Sequence, residues 1–76
     1  MTVHVTVKLF ASFRTGRFDI RNVDYPAGTT VADVADSLLL PQSELGIMMI
    51  NSRHVKLDRV LADGDTLALF PLLGGG

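Results

Sequence analysis

Val3, Val5, Val7 and Leu9 alternate strictly with Thr2, His4, Thr6, Lys8 and Phe10 at the start of the chain. Period two over this length predicts a β-strand with one buried face, because successive side chains of an extended chain point to opposite sides. Such a strand needs partners beside it and a layer packed against it. ASFRTG then breaks the alternation, with Gly16 as the turn residue. A second strand is expected over Arg17 to Tyr25, with Phe18 and Ile20 on one face and Arg17, Asp19 and Arg21 on the other. The apolar parity then moves to Val23 and Tyr25, which predicts a bulge near Arg21–Asn22. The short connection makes these two strands an antiparallel hairpin.

Pro26-Ala27-Gly28 reads as a turn, after which Thr29 or Thr30 caps a helix. Thr30 and Asp33 nearly match a capping box, and Val31, Val34, Ala35 and Leu38 form one helical stripe. Pro41 disfavours helical geometry in the preceding residue, so the helix is expected to end at Leu40. Gly46 to Ile50 is a short, apolar third strand. Asn51-Ser52 is a tight turn into a brief edge strand at Arg53 to Val55. Leu57 to Leu61 reads as an irregular or short helical piece, Asp63-Gly64-Asp65 as a turn, and Thr66 to Phe70 as the last strand. Gly16, Gly28, Gly46 and Gly64 are all assigned to turns. The order gives an α+β fold, a mixed sheet with one main helix on one face, in which the first and last strands lie side by side, central and parallel. Residues 1–70 form the domain, and Pro71, which lacks a donor, stops the pairing and opens a flexible tail over 71–76.

Composition narrows the function. With 76 residues the chain is one domain, since a chain this short buries only about 60% of its unfolded surface and has no room for a large cleft. Apolar residues at 47% against 20% charged mark a globular protein, not a disordered one. Seven basic and eight acidic side chains leave a net charge of -1, which argues against a dedicated nucleic-acid binder. No apolar run approaches the roughly 20 residues of a membrane span. The N-terminal stretch lacks the basic front and continuous apolar run of a secretory signal. A soluble, cytoplasmic protein without a membrane partner is expected.

The inventory of catalysts is thin. There is no cysteine, so no disulfide, thiolate zinc site or thiol chemistry. His4 and His54 are read as solvated, without the other ligands a zinc site needs. Asp63-Gly64-Asp65 is too short and too soon followed by strand to be a calcium loop. Asp33 and Asp36 fit a solvated helix face, and Arg14, Arg17 and Arg21 form a mild basic cluster without aromatics placed for base stacking. No serine sits in a nucleophile motif. The chain is expected to be no enzyme by itself, with no metal and no bound cofactor.

Two features remain. The tail Pro71-Leu72-Leu73-Gly74-Gly75-Gly76 ends in glycines free of side chains, and six extended residues reach roughly 20 Å. It could thread a narrow channel and present its carboxylate to a nucleotide phosphate in another protein. The second feature is parity. If odd residues of the first strand and Leu67 and Leu69 of the last are buried, Phe10 and Phe70 point outward as neighbours, with Ala68 and Leu72 extending the patch. Exposed apolar patches of this kind mark partner surfaces.

The run Val7-Lys8-Leu9-Phe10-Ala11-Ser12-Phe13-Arg14, then Gly28-Thr29-Thr30-Val31, Asp63-Gly64-Asp65, Phe70-Pro71 and the closing Gly75-Gly76, resembles the ubiquitin-like sulphur carriers across the whole chain. The closest likeness is to the molybdopterin synthase small subunits, with the thiamine-biosynthesis sulphur carriers second. The resemblance implies a β-grasp (ubiquitin-like) fold. It also implies that a ubiquitin-activating-type enzyme, using ATP and Mg²⁺, adenylates the carboxylate of Gly76. A sulphur donor such as a cysteine desulfurase or rhodanese then converts it to a thiocarboxylate, and a synthase large subunit accepts the sulphur in cofactor biosynthesis. By the same resemblance Gly74 and Gly75 fit the channel, and Phe10, Arg14, Ala68, Phe70, Leu72 and Leu73 bind the partner. Two departures stand out: a third glycine precedes the terminal pair, and Asn51-Ser52 replaces a common Asn-Gly turn. A protein modifier joined through Gly76, or a non-catalytic β-grasp interaction domain, are the alternative readings.

Overall fold

The computed structural model describes residues 1–72, and the expectations for Leu73, Gly74, Gly75 and Gly76 lie outside them. Five strands form one mixed sheet: β1 (Thr2–Leu9), β2 (Ile20–Pro26), β3 (Leu45–Ile50), β4 (Arg53–His54) and β5 (Thr66–Pro71), in the order β2-β1-β5-β3-β4. One helix, α1 (Val31–Ser37), covers one face. β1 and β5 are neighbours and parallel, as the apolar content of both predicts. Val5, Val7 and Leu9 of β1 pack with Leu67 and Leu69 of β5 and with Val31, Val34 and Ala35 of α1 to form the core. Leu40, Ile50, Leu61 and Phe13 close it; Phe13 comes from a 3₁₀ turn at Ala11–Arg14 that carries no periodic signal.

The second strand corrects the expectation. It begins at Ile20, not Arg17, and pairs with β1 from Thr2↔Pro26 to Lys8↔Ile20 without a register break, so there is no bulge at Arg21–Asn22. Arg21 lies opposite Val7 and shares its face with Val23 and Tyr25, while Ile20 lies opposite Lys8 and is 62% exposed. Phe18 precedes the strand, so its apolar side chain does not report the strand's parity.

The start of α1 is closed by side chains and its end by backbone N–H groups. Thr30 and Asp33 form the full capping box, which in such positions contributes about 1 kcal/mol. The other free N–H groups of the first turn reach out of the helix: Val31 donates to the Arg59 carbonyl and Ala32 to that of Leu57. The segment 57–61 is therefore not helical; it runs beside the helix start and is bridged at Thr30↔Val60. The helix also stops before Leu40. Leu39 adopts a left-handed φ of 58°, Leu39 N–H donates to Asp36 and Leu40 N–H to Ala35. This is a Schellman ending, and Leu40 buries itself past it. Pro41 follows a helix that has already stopped.

The turn at Asp63-Gly64-Asp65 holds more than expected. Asp65 is only 6% exposed, accepts from Ala62 N–H (2.8 Å) and Asn51 Nδ2 (3.2 Å), and lies 3.8 Å from the Arg59 guanidinium. Asn51 in turn accepts from Thr66 N–H through its Oδ1. One carboxylate thus ties the β3–β4 turn to the start of β5. A domain of this size has a net stability of roughly 4–11 kcal/mol, and orphaning buried partners costs about 1–3 kcal/mol each. Asp65→Ala should lower the urea midpoint by the equivalent of about 2–3 kcal/mol with an unchanged m-value. A midpoint shift no larger than that of Asp63→Ala would remove the buried network from the account.

Candidate functional site

The parallel register is in phase, Thr6↔Thr66 through Leu9↔Leu69, so the next pair along is Phe10 and Phe70. Their rings stack with centroids 4.1 Å apart and planes 11° from parallel. Both lie on the sheet face away from α1, as parity predicts. Stacking of this kind contributes about 0.5–1.5 kcal/mol beyond burial. Arg14 completes the group: its Nε donates to the Leu9 carbonyl at 2.9 Å, which lays its guanidinium 5.4 Å from the Phe10 ring centroid. Asp19 approaches the same nitrogen at 3.6 Å. The 3₁₀ turn after β1 is what brings Arg14 back over the strand end.

β3 supplies residues that the sequence did not single out. Its register sets Ile47 opposite Phe70 and Met49 opposite Ala68, so both side chains extend the aromatic pair on the same face. Ile47 is 40% exposed. Lys8, Phe10, Met49, Ala68 and Phe70 border one open depression of about 450 Å³, rimmed by the Asn51-Ser52 turn. An all-apolar strand carries no alternation, so only the pairing with β5 shows which residues face out. Leu72, 58% exposed, follows two residues after Phe70.

The last strand runs further than expected. Pro71 is buried and paired with Leu45, and Leu72 N–H donates to the Glu44 carbonyl at 2.9 Å. Pro71 therefore does not stop the pairing; its missing donor falls where the register shifts between Leu45 and Ile47. Gly46 sits in that shift and is not a turn residue. A Cβ on it would lie 2.7 Å from the Pro71 carbonyl oxygen and 2.9 Å from the Leu72 nitrogen. Gly16, Gly28 and Gly64 do serve turns, each with positive φ. Gly46→Ala should therefore displace the root of the tail, costing about 1–3 kcal/mol and exposing the Leu72 amide to faster hydrogen exchange. An unchanged exchange rate at Leu72 would show that the contact yields freely.

His4 and His54 are both exposed, and among the described residues no three metal-ligating side chains converge. His4 is nonetheless engaged: its Nδ1 hydrogen-bonds Asp24 across the β1–β2 pair. That hydrogen bond first, then the charges of Asp24 and Asp63, raise its pKa above the ordinary 6.5. A histidine that titrates higher when folded adds stability below pH about 6.5 and loses that contribution as pH rises through the folded value. Asp24→Asn should bring the His4 midpoint down toward 6.5 in a proton-NMR titration; no movement would mean that the pair does not hold in solution. Among the described residues, no hydrogen bond or ion pair connects this pair to the aromatic face. Among the described residues, no helix is long and apolar enough to cross a membrane.

A model of the ThiS family matches residues 7–76. A Pyrococcus furiosus protein assigned as molybdopterin converting factor subunit 1 is 30% identical with a TM-score of 0.74, covering 93% of this chain and 99% of its own. The small archaeal modifier protein 1 of Haloferax volcanii is 27% identical with a TM-score of 0.74 over 93% of this chain and 99% of its own. The complex of subunits 1 and 2 of the molybdopterin-converting factor from Helicobacter pylori contains a chain 20% identical, with a TM-score of 0.58 and full coverage of both, a likeness of fold. No curated protein matches the chain. Sheet order, helix placement and these neighbours make the fold the ubiquitin-like β-grasp.

Proposed function

Because the chain belongs to the ThiS family of ubiquitin-like proteins, we propose that it is a sulphur carrier whose working group is the carboxylate of Gly76. The observation that carries this reading is the stacked Phe10–Phe70 pair on the open sheet face, beside a tail whose root is pinned at Pro71 and Leu72. A larger adenylating enzyme would cover that face and receive the extended tail. The Gly76 carboxylate oxygen attacks the α-phosphorus of ATP and pyrophosphate leaves. A donor persulfide then attacks the acyl carbon; a C–S bond forms and AMP departs with its oxygen. A second thiol cleaves the resulting acyl disulfide, leaving a thiocarboxylate on Gly76 and a disulfide on the donor. The chain itself contributes no acid or base to these steps. Its part is to bind, to hold the root of the tail and to offer a terminus that fits a narrow channel.

The likeness to molybdopterin converting factor subunit 1 favours a synthase large subunit as the sulphur acceptor, in molybdopterin-type cofactor synthesis. A second reading, favoured by the likeness to the Haloferax volcanii modifier, joins Gly76 to lysines of target proteins. Both use the same activated carboxylate. Incubation with ATP, an activating enzyme and a sulphur source should add the mass of sulphur in place of oxygen. No gain where a control carrier is converted overturns the carrier reading. Gly-Gly remnants on cellular lysines with no thiocarboxylate pool would assign the modifier role instead.

A further inference from the structure

A second hollow lies on the helix-bearing side of the sheet, toward the β2 edge, and shares no lining residue with the aromatic depression. It is a hollow of about 420 Å³ between the end of α1 and the 15–18 loop. Arg17 spans its floor, donating Nε to the Leu38 carbonyl (3.0 Å), Nη2 to that of Leu39 (3.2 Å) and Nη1 to that of Phe13 (3.3 Å). Arg21 lies along its wall with the guanidinium 4.4 Å from the Phe18 ring centroid. Among the described residues neither arginine has a carboxylate partner, and no acidic side chain lines the hollow. Arg17 is partly balanced by the carbonyls at the end of α1, whereas Arg21 stands without an acidic partner, on a chain whose net charge is -1.

Leu39 is the other unusual feature. The C′ position of a Schellman ending favours glycine, because a left-handed φ crowds any Cβ. Here a leucine holds φ at 58° and is 81% exposed on the rim of the hollow. Neither burial nor backbone preference accounts for it, and a strained, exposed apolar residue points to a role outside the fold. Phe18 supplies a second apolar surface, half-covered by Arg21.

We propose that this hollow docks an acidic segment of a partner protein that carries an apolar side chain: its carboxylates meet Arg21 and the free N–H groups of Arg17, and its apolar group packs on Leu39. The argument is charge complementarity joined to one apolar anchor. It does not rest on the sulphur-carrier reading, because neither Gly76 nor the aromatic pair enters it.

The test is a titration of the isotope-labelled full chain, followed by amide NMR, with a short synthetic peptide of glutamates flanking a leucine. Saturable shifts are expected at Gly16, Phe18, Arg21 and Leu39, with Phe10 and Phe70 unmoved. Arg21→Glu should weaken the binding by about tenfold, and added salt should weaken it too. Leu39→Gly should raise the melting temperature by relieving the left-handed strain while weakening the binding, which separates recognition from folding. Absence of saturable shifts, or equal binding of a lysine-for-glutamate peptide, would overturn the proposal. Equal shifts with inorganic phosphate would assign the hollow to a small anion, and self-association through these residues would assign it to a second copy; either result also overturns it.

Discussion

On the proposed carrier function, removing Gly76 should leave a chain that binds an activating enzyme normally and gains no sulphur. The reason is reach. The root of the tail is held by the Leu45↔Pro71 pairing and the Leu72-to-Glu44 hydrogen bond, so the tail cannot slide forward to compensate for a lost residue. The shortened chain still ends in Gly74-Gly75, but its carboxylate stops about 3.5 Å short. A misplacement of even about 1 Å can cost roughly a hundredfold in rate. Conversion should fall below detection in the intact-mass assay, while a binding titration stays unchanged. Conversion at the normal rate would mean that the distance from the sheet to the carboxylate is not what the enzyme measures.

Phe70→Asp should fail at the opposite step. Phe70 stacks on Phe10, faces Ile47 across the β5–β3 register and borders the open depression two residues before Leu72. Central aromatic anchors commonly contribute about 2 kcal/mol or more to an interface. A carboxylate placed there would also put a hydrated charge on the apolar docking face beside Phe10. Affinity for the activating enzyme should drop by roughly thirtyfold or more, with conversion restored toward normal at high enzyme concentration. The domain should stay folded, because the residue is on the face away from the core and loses chiefly its stacking partner. Normal affinity would sink the interface. The two variants together separate docking from tail delivery, since one should alter the dissociation constant alone and the other the chemical step alone.

The fold was legible to the degree that periodicity reported burial. Strict alternation in β1 placed Val5, Val7 and Leu9 inside and Phe10 outside, and the even spacing of Leu67 and Leu69 did the same for Phe70. The capping box at Thr30 and Asp33 was legible because it is a local exchange of hydrogen bonds four residues wide. Where the sequence misled, a nonlocal contact had won. Phe18 looked like strand but serves the hollow at the end of α1; Leu40 looked helical but is the buried residue after a left-handed stop. Gly46 looked like a turn, yet the backbone of Pro71 and Leu72 requires it to lack a side chain.

The candidate site divides in the same way. Phe10, Ala68 and Phe70 follow from parity and a guess that the end strands are neighbours, while the glycine tail is written plainly in the sequence. Ile47 and Met49 could not be found so, because a uniformly apolar strand has no period; Lys8 shares the outward parity of Phe10.

By itself, then, the sequence determined the two faces of the central strands and the helix start, since each depends on residue type and spacing within one segment. The tertiary structure alone decided the register of β3 against β5, the anchoring of the tail at Glu44 and the meeting of Arg17 with the end of α1. Those depend on which backbone groups, far apart in the chain, satisfy one another once the core has closed.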